Sequence, residues 1–505
     1  MQKTTTIFAP ASALALTLAL ACILSGCTVG PKYHRPVVQP PPAFTAPPVP
    51  PEGSGKWTIA QPQDTAMRGD WWQSFNEPEL NALEEQLNIN NQNIKVSFES
   101  LMEARALIGE ARAQYFPTAT ATPSFSRSRS SGNLTHSATA NTGSLSTTYS
   151  LPLAVSWAPD LWGRVRNEVH EAQYSAQVSA ADFANEKLIE QVSLAELFFQ
   201  IRGQDALVKL YGDTVAADQK ALGVVQASYD AGIDDFISVE EAKTTLQSAQ
   251  SQAINLGILR AEYEHAIAVL VGKPAPGFSI PVRPLNAAPP PIPMALPSQL
   301  LERRPDIAGA ERLLAADNAA LGIAYSAFYP TLTLSAGGGL ESSAFTRLLQ
   351  WPSRFWSIGP SISQPIFRAG LKATLHQYVA TYNANLATYR QTVLTAFQQV
   401  EDSMTATQLL SAQIRQQQLT VASAQNSLNL EMTRYRSGID PYLDVVTLQT
   451  TLLSSQQTLA SLQTEAMTSA VQLVGALGGG WDTKQLPTPS QLSKTPPKAD
   501  TTIQQ

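Results

Sequence analysis

Residues 229–239 read YDAGIDDFISV, and residues 435–445 read YRSGIDPYLDV. Five positions recur at a constant offset of 206 residues, namely Tyr229 and Tyr435, Gly232 and Gly438, Ile233 and Ile439, Asp234 and Asp440, Val239 and Val445. A glycine in a short polar break between helical patterns indicates a helix C-cap, because glycine adopts positive φ at little cost. Each copy is therefore predicted to be the tight tip of a helical hairpin.

A helix is predicted to restart after each tip. In the first copy, Ser238 followed three residues later by Glu241 fits a capping box. In the second copy, Asp440 before Pro441 fits an N-cap followed by a proline at the first helical position. The chain is thus predicted to carry two related helical hairpins.

Composition narrows the function classes. The chain has 505 residues and a net charge of -6, and its 15% of charged residues lies below the usual quarter. Basic residues are nowhere concentrated enough to suggest nucleic acid as a partner. The two cysteines, Cys22 and Cys27, lie near the start, and the five histidines show no ligand-like pairing. These counts argue against a disulfide framework and a Cys/His metal site, and no cofactor is expected.

The N-terminus reads as a targeting segment. Lys3 precedes an apolar run over residues 7–24, which predicts a signal peptide over residues 1–26. LSGC at residues 24–27 resembles the bacterial lipobox, which implies lipid modification of Cys27; the alternative is an ordinary signal peptide with a chance cysteine. The residue after the cysteine is Thr28 rather than aspartate, so this resemblance favours the outer membrane over retention at the inner one.

The rest of the chain divides by composition. We predict an extended, proline-rich segment along the protein surface over residues 27–69. A first repeat follows at residues 70–272, then a proline-rich linker at 273–300 and a second repeat at 301–480. Residues 481–505 form a polar tail that is expected to be disordered.

Both repeats contain the same elements in the same order: a helix, two strands, a long helix, a tip and a return helix. In the first repeat one helix is predicted from residue 70 to about residue 114. YFPT at 115–118 returns as FYPT at 328–331 and ends the first helix of each repeat, since proline disfavours helix at the preceding residue. Residues 163–232 and 370–438 contain no proline, which predicts helices on the order of 100 Å long. The return limbs carry apolar or small residues at alternating four- and three-residue steps, broken only at Arg260, which predicts side-by-side packing of helices.

The strand regions alternate with a period of two. Leu151, Leu153, Val155 and Trp157 share one parity, and Ser, Thr and Gly dominate the other parity of these regions. Four such strands match the pattern of an outer-membrane barrel but are too few to close one, and open edges are not tolerated in lipid. The chain is therefore expected to oligomerise, with the polar parity facing a lumen and the long helices projecting into the periplasm. Three tryptophans are read either as membrane-interface aromatics or as ordinary strand packing, namely Trp157, Trp351 and Trp356.

The sequence resembles the TolC-like outer membrane efflux proteins, most closely the NodT-type lipoproteins that serve resistance-nodulation-division pumps. The motifs that carry the resemblance are LSGC (24–27), VGPKYHRP (29–36), WWQSF (71–75), LWGRVR (161–166), ERRPDI (302–307), YFPT, FYPT and the two tips. The resemblance implies a mixed α and β fold and a homotrimeric duct, in which four strands per chain contribute to a 12-stranded barrel in the outer membrane. A periplasmic barrel of 12 helices would continue it, and a periplasmic adaptor and an inner-membrane pump would be its partners.

The resemblance also implies that the second tip lines a closed periplasmic entrance. Asp440 and Asp444 would form a narrow acidic ring there, although Asp440 also fits an N-cap. Tyr435 and Arg436 would tie the closed tip to a neighbouring helix; the alternative is a solvated helix end. Ser238 of the first copy matches Asp444, so acid is expected to concentrate on the second tip, while the first builds the wall and offers a surface to the adaptor. Arg303 and Arg304 are assigned a structural role, pairing with acids.

The predicted function is a passive, lipid-anchored export duct for drugs or other toxic compounds, not an enzyme. A general diffusion porin and a structural coiled-coil envelope lipoprotein are the alternatives. The sequence names no substrate. The seven methionines are scattered, so nothing favours a copper or silver exporter.

Overall fold

The computed structural model describes residues 28–37, 40–41, 69–131, 145–285, 288–290 and 302–494. The predicted signal peptide and the predicted lipid-modified Cys27 lie outside the described residues, as does much of the linker. Both assignments stay predictions.

Long helices dominate the protein. A 3-10 helix at Trp71–Phe75 precedes α1 (Pro78–Asn90), α2 (Gln92–Ala113), α3 (Arg164–Asp230), α4 (Phe236–Leu270), α5 (Pro305–Ser326), α6 (Gly370–Arg436), α7 (Tyr442–Ala476) and α8 (Pro489–Leu492). The helices α3 and α6 have 67 residues each, about 100 Å at 1.5 Å per residue, and their return limbs α4 and α7 have 35 residues each. The predicted order of elements is confirmed in both halves. In the parts of the chain that the structure describes, no helix is both long enough and apolar enough to cross a membrane.

The first predicted helix is divided. Asn91 ends α1 and caps α2, because its side-chain oxygen accepts a hydrogen bond from the Ile94 N–H at 2.9 Å. Its side-chain amide donates to Glu190 and to the Leu270 carbonyl, both at 3.0 Å. The break therefore fixes the first helical segment to both limbs of the first hairpin.

The return limbs pack as their periodicity predicts. The apolar or small residues that recur at four- and three-residue steps along α4 and α7 form the helix seams. They are all buried or half-buried. Arg260, the one break in the pattern, donates to the buried carboxylate of Asp205 at 2.7 Å. Arg260 thus forms an ion pair between α3 and α4 from a position where the pattern expects an apolar residue.

The largest apolar core lies beside the middle of α3. Trp71, Phe75, Phe198 and Phe199 are nearly inaccessible to solvent, and the rings of Phe75 and Phe199 lie 5.2 Å apart. Each such side chain contributes about 1.5–3 kcal/mol when fully buried. This core joins the 3-10 helix and α1 to α3 and to the ends of α4 and α7.

Beside this core, buried ion pairs attach the start of the linker. Asp205 is fully buried and accepts from Arg202, Arg260 and the backbone N–H of Arg283. Arg202, only 1% exposed, also donates to the Pro281 carbonyl at 2.7 Å. Since buried charges are costly unless they are paired, this network holds residues 280–285 against α3 and α4.

The second repeat opens on a comparable contact. Arg304 forms two hydrogen bonds to the Asp306 carboxylate, at 3.0 and 2.7 Å, and donates to the Ala476 carbonyl at the end of α7. The predicted structural role of Arg304, pairing with an acid, is what the structure shows.

Residues 28–37 run along α3 and α5 as an N-terminal strap. The Tyr33 hydroxyl donates to Glu311 at 2.5 Å, and Asn318 donates to the Pro31 carbonyl at 3.0 Å. Gly30, at φ 122°, lies so close to Gly322 that a Cβ would be 2.8 Å from its Cα. The predicted course along the surface is thus observed for this part of the segment.

The C-terminal segment differs from its expectation. Residues 481–494 are ordered rather than disordered, and Leu492 is buried against Ile108 and Ala176. Arg112 donates to the Ser493 carbonyl and Gln177 to the Pro487 carbonyl. One apolar anchor and polar groups on α2 and α3 offset a composition that predicts disorder.

The strands form one antiparallel sheet. They are β1 (Thr118–Ala121), β2 (Ser124–Arg129), β3 (Leu145–Trp157), β4 (Thr331–Ser342) and β5 (Arg354–Ser363). The first predicted strand is split at Pro123, yet β1 and β2 pair with β3 in one continuous register. β3 and β4, from different repeats, are neighbours, and β4 pairs with β5.

The two faces of the sheet separate by polarity, as predicted. Val155, Ala336 and Ile358 lie opposite one another on one face, which is otherwise rich in Leu and Ile. Ser156, Ser335 and Gly359 follow one another on the other face. Within one chain, the outer edges of β1, β2 and β5 have no strand partner among the described residues.

Candidate functional site

Both hairpin tips end their long helix in the same way. Gly232 has φ 73° and Gly438 has φ 70°. The N–H of Ile233 bonds to the Ser228 carbonyl at 2.9 Å, and that of Ile439 bonds to the Arg434 carbonyl at 3.1 Å. These are Schellman-type ends with a left-handed glycine. The predicted glycine C-caps are confirmed.

The predicted restarts of the helices are wrong in detail. Asp235, not Ser238, caps α4, accepting from the Ser238 N–H at 2.9 Å. Pro441 occupies the N-cap position of α7, so Asp440 lies one residue outside the helix and does not cap it. The reason is local: Asp235 lies three residues before the Ser238 N–H that needs an acceptor, and the carboxylate of Asp440 is engaged elsewhere.

Asp440 is paired with Arg434. Nε and Nη2 of Arg434 donate to the two carboxylate oxygens of Asp440, the Nη2 bond measuring 2.9 Å. The hydrogen bond from Arg434 lowers the pKa of Asp440 below its ordinary 3.8. This forked contact closes the loop of the second tip across six residues.

Two further acids adjoin this pair. Asp444 is exposed in the first turn of α7. Glu431 lies one turn before Tyr435 on α6, and its pKa is raised by desolvation first, then by a hydrogen bond with Asp440 and by the charges of Asp440 and Asp444. Asp440 and Glu431 thus both interact with Arg434, and with Asp444 close to Glu431 the excess charge is negative.

Tyr435 joins the second tip to the first. Its hydroxyl donates to the Asp234 carboxylate at 2.5 Å, and its ring lies 5.3 Å from that of Tyr442. Desolvation, followed by the hydrogen bond to Asp234, raises the pKa of Tyr435. The predicted tie to another helix is therefore made to the first tip of the same chain.

An apolar cluster lies directly beneath these polar contacts. Tyr442 is 2% exposed, and burial raises its pKa to about 12. The cluster comprises Val225, Val239, Ala242, Tyr442 and Val445. Both hairpins contribute to it, so it holds the two tips together.

The tip cluster, meaning Glu431, Arg434, Tyr435, Asp440 and Asp444, includes two residues that the sequence analysis did not select. Arg434 and Glu431 are three residues apart on α6, and this spacing puts their side chains on the same face of the helix, close to the tip. Arg436, which was selected, is exposed, and its side chain has no hydrogen bond or ion pair with another described residue.

The expected concentration of acid on the second tip needs correction. The first tip has three aspartates, Asp230, Asp234 and Asp235. All three accept hydrogen bonds, Asp230 from Gln226, Asp234 from Tyr435 and Asp235 from Ser238. What distinguishes the second tip is a cluster of neighbouring acids with a single counter-charge.

Comparison with known proteins agrees with this architecture. The family described as outer membrane efflux protein matches residues 83–273 and 296–479. The chain is 33% identical over 471 residues to the toluene efflux pump outer membrane protein TtgC of Pseudomonas putida, a match covering 92% of this chain and 95% of that protein. It is 30% identical over 434 residues to the pyoverdine export outer membrane protein OpmQ of Pseudomonas aeruginosa, covering 84% and 90% of the two chains.

A solved structure shares the fold. The outer-membrane channel OprN superimposes with a TM-score of 0.79 at 26% identity, over 90% of this chain and all of that one. The similarity thus spans both repeats, including their strands and the two hairpins. The chain belongs to the outer membrane efflux protein family.

Proposed function

We propose that this protein is the passive exit duct of a tripartite pump, assembled from three copies of the chain. The observation that carries the proposal is the union, in one chain, of a sheet with unpaired outer edges and two hairpins about 100 Å long. Three copies supply 12 strand positions, counting β1 and β2 as one interrupted strand, and no edge is left open to lipid.

The partners and the orientation follow from the same arrangement. The sheet lies in the outer membrane, the hairpins extend into the periplasm, and lipid-modified Cys27 anchors the mature N-terminus. An inner-membrane pump supplies the energy, and a periplasmic adaptor docks on the tips. Exposed apolar side chains on both tips, such as Ile233, Ile237 and Ile439, suit such a docking surface.

The duct itself does not determine which substrate is exported. The names of the two relatives mention toluene and pyoverdine, which are chemically unlike. We infer that this chain carries the small molecules, drugs or other toxic compounds that its pump delivers. Its family decides against the general diffusion porin and the purely structural lipoprotein.

The tip cluster acts as the gate. In the closed state, Tyr435 is bound to Asp234 and Arg434 to Asp440. Three copies of the acidic cluster would form a ring around the entrance, which attracts cations and stores like-charge repulsion. Opening requires these two contacts to break.

The test is single-channel conductance of the full-length protein in planar bilayers. We expect three chains per particle and a small conductance that rises in Tyr435→Phe. A hydrogen bond to a carboxylate contributes about 1.5–3 kcal/mol, so its loss shifts the gate toward opening by roughly tenfold or more. Asp440→Ala combined with Asp444→Ala should raise conductance as well.

The control is Asp213→Ala, which removes an exposed acid from α3 about 25 Å along the helix from the first tip. A conductance that stays small in the tip variants would remove the gate assignment. A monomeric particle would overturn the duct itself.

A further inference from the structure

Charged side chains in the sheet region are confined to the end of the sheet farthest from the helices. Residues 118–157 and 331–363 contain four arginines, one glutamate and no lysine or aspartate. They are Arg127, Arg129, Arg347, Arg354 and Glu341. The ends of the strands nearest the helices carry no charged side chain, so the charge lies only at the distal end of the sheet.

Three of these arginines lie on the apolar face. In the register of β2 and β3, Arg129 is opposite Leu145, Arg127 is opposite Thr147 and Phe125 is opposite Tyr149. Directly opposed residues share a face, and so do alternate residues of one strand, so Arg127 and Arg129 share the face of Leu151, Leu153 and Val155.

The third arginine reaches this face from the other edge strand. Arg354 is opposite Leu340, which is itself opposite Leu151. Glu341 is opposite Ser150 and therefore lies on the polar face. We call Arg127, Arg129 and Arg354 the arginine rim; no acid in the two sheet segments shares their face.

Aromatic rings lie next to the rim on the apolar face. The rings of Phe125 and Tyr149 lie 4.9 Å apart, and Phe345 meets Tyr149 at 5.6 Å. The Arg354 guanidinium lies over the Trp351 ring at 3.6 Å. Aromatic residues mark the boundary between the hydrocarbon and the headgroups of a membrane, so the rim lies at headgroup level.

Among the residues that the structure describes, the rim has no counter-charge. All three guanidinium groups belong to exposed residues, and no ion pair to them occurs among the described residues. Arg127 and Arg129 are two residues apart on one strand, which separates them by only about 7 Å. Like charges at this distance repel, and a planar guanidinium binds phosphate oxygens through two parallel bonds.

We propose that the arginine rim binds the phosphate groups of anionic lipid headgroups in the outer leaflet of the outer membrane. The inference rests on the proposed function, which places the sheet in that membrane. Closure of a trimer brings the distal end of β5 beside that of β2 in the next subunit. Each subunit boundary then presents a basic cluster next to an apolar wall, the arrangement that a phosphorylated lipid complements.

The test measures lipid binding to the full-length protein in detergent by native mass spectrometry. The probes are bisphosphorylated lipid A and the same lipid with both phosphates removed. The variant is Arg127→Gln, Arg129→Gln and Arg354→Gln combined, and the control is Arg415→Gln, which removes one exposed arginine from α6. Each arginine at an anionic lipid surface contributes about fivefold, so the triple variant should bind the bisphosphorylated lipid on the order of 100-fold more weakly.

The control should bind like the wild type, and removal of the phosphates should weaken wild-type binding by a similar factor. Equal binding by the wild type and the triple variant would overturn the inference. Arg354→Lys, which keeps the charge but loses the fork, should fall between the two and guards against misfolding of the triple variant. Conductance of the same samples separates the two claims, because a conducting triple variant with lost lipid binding leaves the duct intact.

Discussion

At the scale of single residues, the electrostatics of the tip cluster depend on which acid forms the ion pair with Arg434. Arg434 binds Asp440 and lowers its pKa, whereas Glu431, desolvated and beside Asp440 and Asp444, has a raised pKa. The two shifts have opposite consequences for stability. The contribution of Asp440 is fully present above its ordinary pKa of 3.8 and is lost as the pH falls through the lowered value.

Glu431 gives the pH dependence above pH 4.5. Because its folded pKa lies above the ordinary 4.5, its ionised form weakens the closed tip at high pH, and this penalty is gone below pH 4.5. Mild acidification from neutral pH should therefore tighten the gate while Asp440 remains ionised. We expect the conductance in planar bilayers to fall as the pH is lowered from neutral toward 4.5.

Glu431→Gln removes the titrating group and should flatten this dependence. Glu240→Gln, at an exposed acid paired with Lys243 near the first tip, is the matched control and should keep it. The same slope in Glu431→Gln as in the wild type would show that another group is responsible.

How far the sequence predicts the site is clearest at Asp440. The repeat places Asp440, Asp444 and Tyr435 at a tip, and the structure brings them together there. The sequence does not show that Pro441 takes the N-cap position or that Arg434 folds back onto Asp440. Such choices depend on which donor is nearest in space, and spacing along the chain leaves several candidates.

At the scale of elements, the long helices are held by a buried polar network as well as by their seams. Asp205 is fully buried and accepts from three donors on α3, α4 and the linker. Asp205→Ala would leave Arg202, 1% exposed, without its partner on α3. Loss of one partner of a buried pair costs about 3–5 kcal/mol.

This loss should lower the midpoint of thermal unfolding and make residues 278–285 more sensitive to protease. Asp213→Ala is the control, because Asp213 and its partner Lys209 are 69% and 63% exposed and such pairs contribute less than about 1 kcal/mol. Equal midpoints for the two variants would show that the network does not stabilise the linker.

Element lengths were predictable, whereas breaks and attachments were not. The absence of proline over about 68 residues predicts both long helices, and a 3.5-residue period predicts their seams. The interruption at Asn91 and the docking of Leu492 depend on partners about 100 or more residues away. A local pattern cannot contain that information.

At the scale of the whole molecule, the proposed trimer requires the sheet to present one face to lipid and the other to a lumen. Alternation in the sequence predicts the two faces, and the register confirms that they are continuous across β3, β4 and β5. Neither alternation nor register states which face meets lipid. The proposed trimer assigns the apolar face to lipid and the polar face to the lumen.

Adjacent residues in the middle of β5 test this assignment. Ile358 lies on the apolar face and Ser357 on the polar face, and Ile358 is 76% exposed in the single chain. An arginine facing lipid near the midplane costs about 2–4 kcal/mol per site, and a trimer would bear this cost three times. Ile358→Arg should therefore abolish recovery of the trimer from outer-membrane fractions. Ser357→Arg should assemble normally and lower the single-channel conductance for cations, since it adds positive charge to the lumen. If instead Ser357→Arg failed to assemble while Ile358→Arg assembled, the two faces would be reversed.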